Sequence, residues 1–150
     1  MTTTSFLQHF AGGCRCGALR VDLALPSGIA LPAPRACDCG FCTRHGAAWL
    51  SDPAGRLTIE EAQPGALVAA RQGSGSAGFQ ACARCGDLVA VVFADGDTRH
   101  AAANARCLRD GAAFGEPVVV SPRQLAPAER QARWRTLWMH DVRIVRLPMG

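Results

Sequence analysis

The chain has 150 residues and 49% hydrophobic positions, the size and apolar content of one compact domain. Charged residues make up 19% and form no long like-charge run, which excludes wholesale disorder; no apolar run reaches the ~18 residues of a transmembrane helix. All 16 positive side chains are Arg and the net charge is +4, a balance that favours small anionic partners and is too weak to imply nucleic acid.

The opening MTTTSFLQHF has no basic residue ahead of an apolar stretch, so it does not read as a secretion signal, and the expected compartment is the cytoplasm. Leu19, Val21, Leu23 and Leu25 alternate with Arg20, Asp22 and Ala24, which predicts a half-buried strand. Leu57 and Ile59 repeat that pattern between Arg56, Thr58 and Glu60, and residues 66–70 and 142–147 are further strand candidates. The unbroken apolar run from Leu88 to Phe93 predicts a strand buried on both faces. Turn signals punctuate the chain at Pro26-Ser27-Gly28, Pro32-Ala33-Pro34, Asp52-Pro53-Ala54-Gly55, Pro64-Gly65 and Gly73-Ser74-Gly75. One helix is predicted, Pro127 to Met139, opened by a proline in its first turn. Leu125, Trp134, Leu137 and Trp138 form its apolar stripe, read as core, with Arg130, Arg133 and Arg135 off it. Many short strands with frequent turns predict an all-β fold, a single domain over 1–150, with residues 109–128 the segment most like an appendage.

The eight cysteines are the most informative residues. Seven form three clusters: Cys14-Arg15-Cys16, Cys37-Asp38-Cys39-Gly40-Phe41-Cys42 and Cys82-Ala83-Arg84-Cys85. In a reducing compartment such clusters read as metal ligands rather than disulfides. Zinc is the expected metal, because soft thiolates and a tetrahedral set of four suit it, with an iron–sulfur cluster the minor rival. Gly follows Cys16, Cys39 and Cys85, where positive φ lets backbone N–H groups face the sulfurs. Seven ligands divide naturally into four and three. The outer pairs Cys14/Cys16 and Cys82/Cys85 then close one site, and Cys37, Cys39 and Cys42 form a three-thiolate site. Its fourth position is open, as in catalytic zinc, or is filled by Cys107, His45 or His100. Spacing alone does not decide which pairs share an ion. Cys107 itself reads as a buried structural thiol, and His45 as a solvated loop residue.

Gly12-Gly13-Cys14-Arg15-Cys16-Gly17-Ala18 resembles the opening of the GFA family, which includes glutathione-dependent formaldehyde-activating enzyme and centromere protein V. The Cys-x-Cys-x-x-Cys at 37–42, the Cys-x-x-Cys-Gly at 82–86 and the stretch Asn104-Ala105-Arg106-Cys107-Leu108 follow in the same order. The resemblance covers about residues 9–110 and leaves 111–150 as a C-terminal extension packed on the core. It implies a β-tent fold with two zinc ions. Cys14, Cys16, Cys82 and Cys85 would hold a structural zinc, and Cys37, Cys39 and Cys42 the zinc associated with activity. The implied activity is condensation of glutathione with formaldehyde, or its reverse, a carbon–sulfur lyase reaction. Asp38 and Gly40 depart from the His and Ser common in the family, and Ala81 stands where an aromatic is common, with Phe79 two residues earlier.

A metal held by three thiolates carries net negative charge, and a fourth thiol bound there loses its proton. Positive charge nearby is then needed. Arg35 and Arg44 flank the triplet and are the candidates, both for that charge and for the carboxylates of glutathione or a similar small anionic thiol. The expected function is therefore a zinc-dependent carbon–sulfur lyase-like enzyme acting on a small thiol or thiol–aldehyde adduct. The alternative is a non-catalytic zinc-stabilised binding module. A nucleic-acid partner is disfavoured, since basic and aromatic residues are not interleaved.

Overall fold

The computed structural model of the chain describes residues 7–28, 30–71 and 77–149, and of Arg123 only the backbone. The turn expected at Gly73-Ser74-Gly75 lies outside the described residues. Alternating apolar residues build a smaller sheet of four strands, β1 (Leu7–Gly13), β2 (Leu19–Pro26), β5 (Arg56–Glu61) and β11 (Asp141–Val145), in that spatial order. The larger sheet runs β10 (Val118–Val120), β3 (Arg35–Cys37), β4 (Trp49–Leu50), β9 (Thr98–Asn104), β8 (Leu88–Asp95), β7 (Ala77–Cys82) and β6 (Leu67–Arg71). Pairing is antiparallel except at the two late strands: β11 runs parallel to β5, and β10 parallel to β3. Two α-helices are present among the described residues, α1 (Gly40–His45) and α2 (Pro127–Leu137). The protein is thus mainly β, with short strands and a C-terminal helix. None of the described helices is long and apolar enough to cross a membrane.

The two sheets share one core. Register places Leu23 opposite Leu57 and Val21 opposite Ile59, so the alternation of β2 and β5 feeds the same face. Those side chains are buried against Val89, Ala101 and Ala103 of the larger sheet. Fully burying each Leu or Ile contributes about 1.5–3 kcal/mol. The run at Leu88–Phe93 is buried on both faces, as its composition predicts. Val89 and Val92 point to the shared core, while Leu88, Val91 and Phe93 point the other way, to a second cluster with Cys42, Trp49 and Trp138.

That second cluster lies under α2. Arg135 fastens the helix: its Nε donates to Asp95 Oδ2 at 2.7 Å, and its guanidinium lies 5.5 Å from the centroid of the Phe93 ring. Trp134 packs on the same Phe93, with ring centroids 5.3 Å apart. The C-terminal region does more than pack on the core, because β10 and β11 each become an edge strand of one sheet. The segment at 109–128, read from sequence as an appendage, therefore contributes structure to the larger sheet. Glu61 locks the chain beyond β11. Its carboxylate, almost wholly buried, accepts from Leu67 N at 3.0 Å and Leu147 N at 2.9 Å.

Candidate metal centres and the cavity beside one of them

Two tight turns bring Cys14, Cys16, Cys82 and Cys85 together, with all four sulfurs within 4.8 Å of one another. Cys14 follows β1 directly, and Cys82 ends β7, so the set joins an edge of the smaller sheet to the larger sheet. Gly17 and Gly86 take φ of 81° and 79°, closing turns in which their N–H groups bond the carbonyls of Cys14 and Cys82. Gly40 does not behave this way; it is the first residue of α1. At Gly12 the requirement is space, since a Cβ there would overlap the carbonyl oxygen of Cys107. Arg15 ties the turns to each other, its N–H bonding Asp87 Oδ2 and its Nη2 bonding the Cys85 carbonyl, both at 2.7 Å.

The donor chemistry fits zinc. Sγ of Cys16 lies 3.6 Å from Sγ of both Cys14 and Cys82. A tetrahedron with Zn–S of about 2.3 Å has S···S edges of about 3.8 Å. Backbone N–H groups already face the sulfurs: Leu19 N to Cys14 Sγ at 3.2 Å and Arg84 N to Cys82 Sγ at 3.4 Å. Burial alone would push the Cys82 thiol up, but the N–H groups of Cys85 and Arg84 and the neighbouring thiols outweigh it, bringing it down to about 7. An anionic sulfur is the form that ligates metal.

Cys37, Cys39 and Cys42 form a second group, also with sulfurs within 4.8 Å of one another. Cys37 ends β3, Cys39 caps α1, and Cys42 stands in the helix. The cap bond runs from Cys42 N to Cys39 Sγ at 3.4 Å. A hydrogen bond from the Cys42 thiol lowers Cys37 to about 6, and the same bond together with burial raises Cys42. The triplet thus favours one anionic sulfur even before a cation arrives. No fourth His, Cys, Asp or Glu among the described residues joins it within that distance. His45 is exposed and packs on the Phe41 ring, and His100 lies in β9 with its Nδ1 2.9 Å from Nδ1 of His140. The Cys107 thiol donates to the Leu88 carbonyl at 3.0 Å and is pushed up to about 12 by burial, so it behaves as a structural thiol.

The two groups differ in what surrounds them. Cys14 and Cys82 are packed into the shared core, whereas the triplet belongs to the cluster on the other face of the larger sheet. There the triplet lines a cavity of about 360 Å³, walled by Phe41, Trp49, Phe79, Trp134 and Trp138. Phe79 and Ala81 share a strand face, and Phe79 forms part of the cavity wall. Of the two flanking arginines, Arg44 lines this cavity, while Arg35 lines an adjoining one. Arg130 of α2 also lines it, although the sequence pattern placed Arg130 merely off the apolar stripe. Trp134 and Trp138, read as core, both pack in the cluster and form cavity wall. Asp38, between Cys37 and Cys39, is tied to the C-terminal region: its Oδ2 accepts the Ser121 hydroxyl at 2.5 Å.

No protein-family model matches the chain. No curated protein matches it. Among solved structures the chain is similar to a crystal structure of a Rhodobacter sphaeroides protein, 24% identical, over 73% of this chain and 99% of that one, with a TM-score of 0.54. That likeness is one of fold: the neighbour shares the architecture over nearly its whole length, while about a quarter of this chain lies outside the match.

Proposed function

We propose that the chain is a zinc-dependent, GFA-like protein with carbon–sulfur lyase-like chemistry on a small thiol or its aldehyde adduct. The observation that carries this reading is the contrast between the two thiol groups. Four cysteines join the edge of the smaller sheet to the larger one, with Cys14 and Cys82 buried in the shared core, and three line an aromatic-walled cavity. In this reading Cys14, Cys16, Cys82 and Cys85 hold a structural zinc, and Cys37, Cys39 and Cys42 hold a second one with a position free for substrate. Bound there, zinc would supply Lewis acidity that lowers the pKa of a substrate thiol and keeps its sulfur reactive near neutrality.

The chain's own residues do the rest. Phe41, Phe79 and the tryptophans set apolar aromatic surface beside the reacting sulfur. Arg44 and Arg130 offset the negative charge that three thiolates and an anionic substrate bring together. No His, Asp or Glu is among the described residues lining this cavity, so the substrate proton leaves to solvent. In the condensing direction the sulfur adds to the aldehyde carbon, a carbon–sulfur bond forms, and the carbonyl oxygen takes up a proton from water. The reverse breaks that bond and returns thiol and aldehyde. Glutathione or a similar cytoplasmic thiol is the co-substrate in this reading.

Cobalt in place of zinc tests it. The visible spectrum of the cobalt protein shifts when glutathione is added and stays unchanged with S-methylglutathione, because a thioether supplies no anionic sulfur. A spectrum unmoved by any thiol, in protein shown to hold both metals, would overturn the reading in favour of a non-catalytic zinc module.

A further inference from the structure

We propose that a second lobe of the cavity, lined by Arg35, Arg130 and Arg133, binds the carboxylate of an aromatic acid whose ring lies against Trp134 and Trp138. The adjoining space, about 350 Å³, shares Cys37, Trp49, Pro122, Arg130, Trp134 and Trp138 with the lobe that holds the triplet. Arg35 and Arg133 line only the second lobe. A ligand filling both therefore meets the triplet's sulfurs at one end, the shared tryptophans in the middle and Arg35 and Arg133 at the other.

The arginines are arranged to receive an anion. Elsewhere in the protein arginines meet carboxylates: Arg15 with Asp87, Arg56 with Asp141, Arg135 with Asp95 and Arg146 with Glu61. Among the described residues no carboxylate forms an ion pair with Arg35, Arg130 or Arg133. Arg35 donates from Nη2 to Ser51 Oγ at 2.5 Å, which leaves most of its donors for another partner. Arg133 lines the same lobe as Arg35. The Nε of Arg130 is buried and has no hydrogen-bond partner. A buried donor without a partner costs about 1–3 kcal/mol, and a planar carboxylate meets the guanidinium fork.

The middle of the cavity selects the rest of the ligand. Trp134 and Trp138 stack with centroids 4.9 Å apart and planes 18° from parallel, and both line both lobes. That aromatic lining suits a ring. The substrate class that follows is an aromatic acid with a thiol at its far end. That last step, joining the acid to the sulfur site, rests on the thiol chemistry proposed above; binding of the acid itself does not.

All three tryptophans of the chain line both lobes, so intrinsic fluorescence reports occupancy directly. The experiment titrates zinc-loaded full-length protein with benzoate, benzamide, phenyl phosphate and para-(mercaptomethyl)benzoate. Benzoate is expected to quench saturably, with benzamide about tenfold weaker, since charge-assisted bonds to guanidinium are lost. Arg130→Gln/Arg133→Gln is expected to weaken benzoate about tenfold and leave benzamide unchanged. Arg133→Gln alone, at an exposed side chain, provides the same comparison if the double variant fails to fold. Equal affinity for benzoate and benzamide, or variants that bind benzoate as the wild type does, would overturn the lobe. Tighter binding of phenyl phosphate than of benzoate would overturn the carboxylate assignment. If the thiol of para-(mercaptomethyl)benzoate adds nothing to benzoate affinity, the link to the triplet falls while the acid lobe stands. A cobalt spectrum that responds to thiols, with no preference for benzoate, leaves the thiol chemistry and removes this inference.

Discussion

Removing two cysteines from each group should damage the fold unequally. Cys82→Ser/Cys85→Ser opens the four-cysteine set, and Cys39→Ser/Cys42→Ser opens the triplet. The two variants are matched in burial. Cys82 and Cys42 are each 2% exposed, and Cys85 and Cys39 are each intermediate. The local cost of inserting hydroxyls is therefore similar, and Ser at position 39 can still cap α1. The difference lies in the loops that the ions close. Cys16 and Cys82 are 66 positions apart, whereas Cys37 and Cys42 are five apart. Loop closure scaled as (3/2)RT ln n gives about 3.7 and about 1.4 kcal/mol. The gap of about 2.3 kcal/mol, over an unfolding entropy of ~0.3 kcal/mol/K for a chain of this size, is about 7 °C in melting temperature. Calorimetry of both variants at the same free zinc concentration measures it. Equal losses, or a larger loss from the triplet variant, would refute the assignment of the outer set as the brace between sheets.

Zinc-saturated protein should hold two ions per chain, and on acidification the three-ligand site should empty first, because it starts with one fewer metal–thiolate bond and so a weaker grip on its ion; saturation at one ion per chain in metal analysis would contradict this. Glu61→Gln should lower the melting temperature at about pH 7, and the difference should shrink as pH falls through the carboxyl's lowered pKa. The N–H of Leu67 first, helped by Leu147 and Arg146, holds the Glu61 carboxyl below its usual 4.5, so its stabilisation is present above that value and is lost as pH falls through the lowered pKa. A stability difference that persists unchanged into acid would show that Glu61 acts by packing instead.

The candidate metal-ligand groups were legible because each pair or triplet is local in sequence, and a thiolate's demand for short spacing survives without any knowledge of the fold. Strands β2, β5 and β8 were legible for a similar reason, since alternation or an unbroken apolar run fixes their faces. Strand β9 was not. Its Ala101-Ala102-Ala103 has little β preference, and it is a strand because only small side chains fit a fully buried position between the two clusters. Nor did β10 announce itself: Val118 and Val119 are exposed, and only parallel pairing with β3 makes them part of a sheet. The acid-binding lobe was hidden because its arginines are distant in sequence. Arg35 comes from β3, and Arg130 and Arg133 come from α2, whose periodicity says which side is apolar but not that its polar edge closes over a cavity.

The sheet order also sets a timetable for folding. Strands β7, β8 and β9 form a continuous meander over residues 77–104, with only Gly96-Asp97 between the last two. Closing a turn that short takes microseconds. By contrast, β10 meets β3 and β11 meets β5 across separations of 83 and 85 positions. Contacts of that range form late and place folding in about the millisecond-to-second regime. Cys82 and Cys85 sit at the edge of the meander and are presented early, while Cys14 and Cys16 must travel to meet them. A metal ion caught first by Cys82 and Cys85 would act as a docking point for the incoming chain. Zinc supply would then govern how fast the protein folds as well as how firmly it stays folded, and a chelator should slow refolding most at the step where the smaller sheet arrives.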